Sequence, residues 1–171
     1  MHEGPVVVAR GEGEPRSIGQ MTLLVGRAEW TAGAYNVMDQ ITAPRLMSAV
    51  HSHAQEDQVA FVLEGTMTCW VAGHEVEVEA GGYVLRPAGL PHAMWNAGDT
   101  PIRFLEITNP GTSFEEYVRR LGALIDCGEA SADTVGRLAH EFAITFFPAE
   151  TEELSARLGL PVGGFWKPPQ A

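Results

Sequence analysis

The sequence predicts a mostly β fold, a sandwich or barrel, followed by a helical C-terminal extension. Between residues 23 and 109, short apolar or alternating runs succeed one another: LLVG, AYNVMDQI, RLMSAVHSH, QVAFVL, TMTCWV, HEVEVEA, YVLRP, HAMWN and IRFLEI. Such spacing is that of many short strands. The breaks between them carry turn chemistry, with Glu64-Gly65, Ala72-Gly73 and Gly81-Gly82 each supplying a residue tolerant of positive φ. After Asn109-Pro110-Gly111 the apolar period changes from two to that of a helix.

Residues 1–22 read as an N-terminal arm, because Gly11, Gly13, Pro15 and Gly19 surround only a short VVV run. Val6 to Val8 could add a strand to a neighbour's sheet edge. Residues 23–111 form the β-barrel unit. Residues 112–171 form the helical extension, opening on SFEEYVRRLGALID, where Ser113 and Glu116 give an S-x-x-E capping signal. Phe114, Tyr117, Val118, Leu121 and Leu124 or Ile125 keep helical spacing there, and two further helices are expected near 131–142 and 150–158.

The chain of 171 residues is long enough for one sizeable core, and with 45% hydrophobic and 19% charged residues it has the composition of a folded domain. Its 22 acidic residues against 11 basic ones give a net charge of -11, which repels phosphate backbones and anionic membrane surfaces. Nucleic acid and membrane are therefore not expected partners. No segment approaches the ~20 apolar residues of a membrane span, and no signal-like N-terminus is present, so the expected compartment is the cytoplasm. Cys69 and Cys127 lack CxxC spacing and read as buried, unreacted thiols.

The chemistry concentrates in HSHAQEDQVAFVLEG, residues 51–65. On a strand, His51 and His53 face the same way, about 6.6 Å apart along the chain. Two unpaired imidazoles inside a barrel are costly, and one divalent metal satisfies both nitrogens. A second stretch, GGYVLRPAGLPHAMWN, brings His92 after a Pro-x-Gly turn. Of the remaining candidates, His2, His74 and His140 read as surface residues, and Met47 and Met67 as core filler. Met94 and Asn96 share the phase of His92 and face inward; Trp95 is out of phase and faces outward. Trp30, Trp70, Trp95 and Trp166 read as packing residues, and the acidic alternation HEVEVEA as a solvated strand face.

These two blocks resemble the paired motifs of the cupin superfamily. The first motif runs H-x-H, three or four residues, E, six residues, G, and His51, His53, Gln58 and Gly65 fall on those places. The second runs G, five residues, P-x-G, two residues, H, three residues, N, and Gly81, Pro87, Gly89, His92 and Asn96 match every fixed position. Further texture, including LRPAGLPHAMWNAGDTPIRFLEITNPG, is similar to the quercetin 2,3-dioxygenase-like single-domain cupins. The resemblance implies a cupin jelly roll, or double-stranded β-helix, and a homodimer.

It also implies a divalent transition metal, whether Fe, Ni, Mn, Cu or Zn, held by His51, His53, Gln58 and His92, and a small aromatic or enolic substrate for dioxygenase chemistry. Two alternatives stand beside that activity: isomerase, cyclase or lyase chemistry with the metal as Lewis acid, and non-catalytic small-molecule binding.

The sequence departs from the pattern twice. Arg45 replaces a glycine six residues before His51, and Gln58 replaces the glutamate. An amide is a neutral ligand and cannot act as a general base. Glu56 shares the parity of Gln58 and Asp57 adjoins it, so either carboxylate could ligate or take a proton if the loop shifts by a residue.

Overall fold

Alternation of apolar and polar residues decides which side of each strand is buried, and the computed structural model, which describes residues 4–18 and 20–163, folds these strands into two facing antiparallel sheets. The first has the order β1 (Glu14–Ser17), β2 (Met21–Gly26), β3 (Asn36–Thr42), β11 (Ile102–Asn109), β6 (Asp57–Glu64), β9 (Tyr83–Arg86). The second has the order β12 (Ile144–Phe146), β5 (His51–His53), β10 (His92–Asn96), β7 (Thr66–Val71), β8 (His74–Glu79), with the two-residue β4 (Leu46–Met47) also paired to β10. Between the sheets lie Ala60, Val62, Met67, Cys69, Met94, Ile102 and Phe104, which form the barrel core.

The turns behave as their residues require. Ala72 and Gly73 both have positive φ, 46° and 91°, as a two-residue hairpin between β7 and β8 demands. In β8 only Val78 is buried, so HEVEVE is indeed a solvated strand.

Three helices follow: α1 (Thr112–Asp126), α2 (Ala132–Glu141) and α3 (Pro148–Leu158). Ser113 and Glu116 do not cap α1, whose N-cap is Gly111 with no side-chain cap. Tertiary contact sets that boundary instead. A Cβ on Gly111 would lie 2.3 Å from the Tyr35 carbonyl carbon, Asn36 Nδ2 donates to the Gly111 carbonyl at 2.6 Å, and Glu115 accepts the Ala28 N–H at 2.6 Å. The S-x-x-E signal is therefore overridden by docking of the helix start against the sheet. Helix α2 does carry a reciprocal box, between Ser131 and Thr134, and α3 begins with Pro148 in its first turn.

Both flanking stretches return to the barrel. Strand β1 lies inside the stretch expected as an arm and pairs with β2 of the same chain. Strand β12 lies inside the helical extension and pairs with β5, placing Phe146 opposite His51 and Ile144 opposite His53. Helices α1 and α2 bury Phe114, Tyr117, Val118, Leu121, Val135 and Leu138 against Leu24 and Met38. Helix α3 covers the outer side of the second sheet, where Trp95 packs with Met47, Val50, Leu154 and Leu160. Trp95 is thus outside the barrel yet only 3% exposed. Cys69 is buried, but Cys127 is exposed at the end of α1, contrary to the burial expected for both thiols. His2 and Trp166 lie outside the described residues.

Candidate metal centre

Strand geometry brings the three histidines together. His51 and His53 share one face of β5, and His92 opens β10 directly opposite His51 in the antiparallel register. The Pro-x-Gly turn before His92 is tied to the same place: the Gly89 N–H donates to the His53 carbonyl at 2.6 Å, and the Ala88 N–H donates to Asp57 Oδ1 at 2.8 Å. Gly89 takes φ 78°, which lets the chain turn at that contact. Ring centroids lie 5.2 Å apart for His51 and His53, 4.5 Å for His51 and His92, and 5.6 Å for His53 and His92.

One nitrogen from each ring lies within 4.8 Å of the others, so the three can hold one metal ion. Hydrogen bonding decides which nitrogen is available. His51 Nδ1 faces the Ala49 carbonyl at 2.9 Å and His92 Nδ1 the Leu90 carbonyl at 3.0 Å, so both carry their proton on Nδ1 and keep a lone pair on Nε2. His53 Nδ1 lies 3.7 Å from Glu56 Oε2, longer than a hydrogen bond, with both groups almost fully buried. The Nε2 atoms of His53 and His92 are buried without a hydrogen-bond partner. Converging imidazole nitrogens, two of them buried without a partner, are what a divalent transition metal would satisfy.

Electrostatics keep the rings neutral. Burial, reinforced by His53, pushes the His51 pKa down to about 3. Burial, followed by His51 and Arg86, lowers His92 well below the usual range, and burial also lowers His53 against the opposing pull of Glu56. Neutral imidazole is the metal-binding form.

Gln58 begins the inward-facing set of β6 and is 2% exposed, with Oε1 buried and unpartnered. Its cross-strand neighbours are Arg86 on β9 and Thr108 on β11. With His51 and His53 it lines a cavity of about 160 Å³, whose wall also includes Arg86, Met94 and Glu106 and apolar groups of α1, α2 and β12, among them Phe114, Tyr117, Val135 and Phe146. Asp57 is exposed and engaged with the Ala88 turn, and Glu56 sits on the Nδ1 side of His53 rather than in the cavity wall. Asn96 points inward as its parity predicts, but it holds a turn, donating to the carbonyls of Thr42 and Thr100 and accepting from Gly98.

Two cavity residues escaped the sequence reading. Arg86 and Glu106 are both 3% exposed and form a buried ion pair. Burial lifts the Glu106 carboxyl above the usual range while Arg86 pulls it back. Strand phase carried the signal: Arg86 is in phase with buried Val84, and Glu106 with buried Ile102 and Phe104.

Residues 39–108 match the cupin domain family. Among curated proteins, the chain is 27% identical over 119 residues to quercetin 2,3-dioxygenase of Bacillus subtilis, covering 69% of this chain and 35% of that protein. The chain therefore spans about a third of that relative's length. Among solved structures it resembles a predicted oxalate decarboxylase of Thermotoga maritima, with TM-score 0.57 and 20% identity over 61% of this chain and 98% of that one. It also resembles KdgF from Halomonas sp., with TM-score 0.56 and 13% identity over 63% and 94%. At these identities the two structures speak to the fold alone.

Proposed function

Since residues 39–108 match the cupin domain family, we propose that the protein is a metal-dependent enzyme acting on a small enolic or aromatic oxygen compound, with dioxygenase chemistry as the leading reaction. One observation carries this: three neutral histidines bring one ring nitrogen each within 4.8 Å of the others, and two of them, His51 and His53, line a largely apolar cavity. His51, His53 and His92 would hold the ion through Nε2, and the stranded Oε1 of Gln58 suits it for the fourth position. A bound divalent transition metal supplies a Lewis acid that polarises a substrate oxygen.

The chain's own residues bound the substrate. A cavity of about 160 Å³ is close to the engineered cavity of about 150 Å³ that takes one benzene, so it has room for one ring. Phe114 and Tyr117 give the ring apolar surface to pack against. Gln58 cannot accept a proton, so that task falls to Glu106, the carboxylate in the cavity wall among the described residues.

A second reading rests on Gln58 itself. An uncharged amide in place of a carboxylate leaves the ion's charge less neutralised and suits isomerase or lyase chemistry that needs only the Lewis acid. Elemental analysis of purified protein, followed by oxygen uptake with one-ring enols and hydroxyarenes beside a flavonol, separates the readings. Stoichiometric iron, nickel, manganese, copper or zinc with substrate-dependent oxygen consumption supports the first. Metal with anaerobic turnover supports the second. A protein that takes up no metal at stoichiometric level overturns both and leaves a binding module.

A further inference from the structure

The geometry points to Arg86 as a recognition site for a negatively charged group on the ligand, beside the histidine cluster, an inference that rests on the metal-centre reading above. Arg86 is a buried cation in the cavity wall, at the inner end of β9. Its guanidinium bonds Glu106, but its Nε has no partner, and in the same cross-strand row Gln58 Oε1 and Thr108 Oγ1 are also buried and unpartnered. A guanidinium offers five donors, so one carboxylate oxygen leaves capacity for a second acceptor.

Stability gives little reason for this pair. Replacing a buried ion pair with well-packed apolar side chains is often neutral or stabilising, and the core around it, Ala60, Val62 and Phe104, is already apolar. Charge balance gives a better one. Arg86 and Glu106 cancel, and among the described residues Glu56, 3.7 Å from His53, is the carboxylate paired with the histidines, so a divalent ion held there would leave the region positive. An anionic ligand closes that balance.

The cavity lining bears on the ligand's shape. Phe114, Tyr117 and Val135 give apolar surface and Arg86 and Gln58 polar groups, which suits a ring carrying a carboxylate or enolate head.

Benzoate and benzamide are a matched pair of probes that differ in charge but hardly in shape. Calorimetric titration of nickel-loaded protein should show benzoate binding about tenfold or more tighter than benzamide, the size of a charged hydrogen bond. Arg86→Met/Glu106→Met removes both charges together, avoiding a lone buried ion, and should reduce that ratio to about one while nickel content and melting temperature hold. Glu106→Gln frees the guanidinium and should tighten benzoate further. Equal affinities in the unmodified protein, or a preference that survives the double substitution, would overturn the assignment to Arg86 while leaving the metal centre standing. Failure of the unmodified protein to retain nickel, iron, manganese, copper or zinc would instead defeat the metal reading.

Discussion

At the scale of single residues, the site depends on which nitrogen of each ring is free and which oxygen completes the set. Gln58→Glu puts a charge where the amide oxygen is stranded and should raise metal affinity by about tenfold or more, read by competition with a chelator. Loss of metal in that variant would mean residue 58 is not a ligand. Glu56 stands 3.7 Å from His53 Nδ1, and its charge favours a cation held by that ring, so Glu56→Gln should weaken metal binding, read by the same competition.

The neutral rings also make the metal-free protein sensitive to acid. A histidine whose folded pKa lies below its unfolded value of 6.5 leaves stability unaffected above that pH, and the stability it shares is lost as pH falls toward the folded pKa. For His51 that window runs from 6.5 down to about 3, at about 1.4 kcal/mol per pH unit, and His53 and His92 act in the same direction. Urea midpoints of the metal-free protein should therefore fall steadily below pH 6.5 and be flat just above it. A midpoint that rises on acidification to pH 5 would contradict the buried, neutral state of the cluster.

At the scale of elements, what holds the histidine strand in place comes from the C-terminal third. Val50, the residue before His51, gives its N–H to Thr151 Oγ1 of α3 at 2.9 Å, and Thr151 in turn donates to the Phe147 carbonyl at 2.6 Å, fully buried. Thr151→Val keeps the shape and strands the Val50 N–H, so it should cost about 1–3 kcal/mol in denaturant unfolding. A neutral result would show that α3 does not brace β5. The same dependence explains what the sequence hid. Helical periodicity located α1, α2 and α3, but nothing in ITF announces a strand, and β12 exists because β5 leaves its edge open for it. The capping signal at Ser113 and Glu116 failed for a related reason: a local motif worth about 1 kcal/mol yields to docking of Gly111 on Tyr35 and Asn36.

At the scale of the molecule, three apolar clusters are distributed between the sheets, under α1 and α2, and beneath α3, and none requires an ion. Metal should therefore add stability without being needed for folding. His51→Ala should leave the melting temperature of the metal-free protein nearly unchanged while abolishing the rise that added nickel produces in the unmodified protein. Unfolding of His51→Ala would instead mark the ion as structural. No helix among the described residues is long and apolar enough to cross a membrane.

The sequence by itself determined the barrel, the three helices and the convergence of His51, His53 and His92, because strand alternation and turn chemistry are local and the two histidine motifs carry their own spacing. The tertiary structure alone decided that Glu56 stands beside His53 rather than in the cavity and that Asp57 serves a turn. It also decided that Arg86 and Glu106, 20 residues apart, meet inside the barrel. Those outcomes depend on register between strands distant in the chain, and register is fixed only when the two sheets close over a common core.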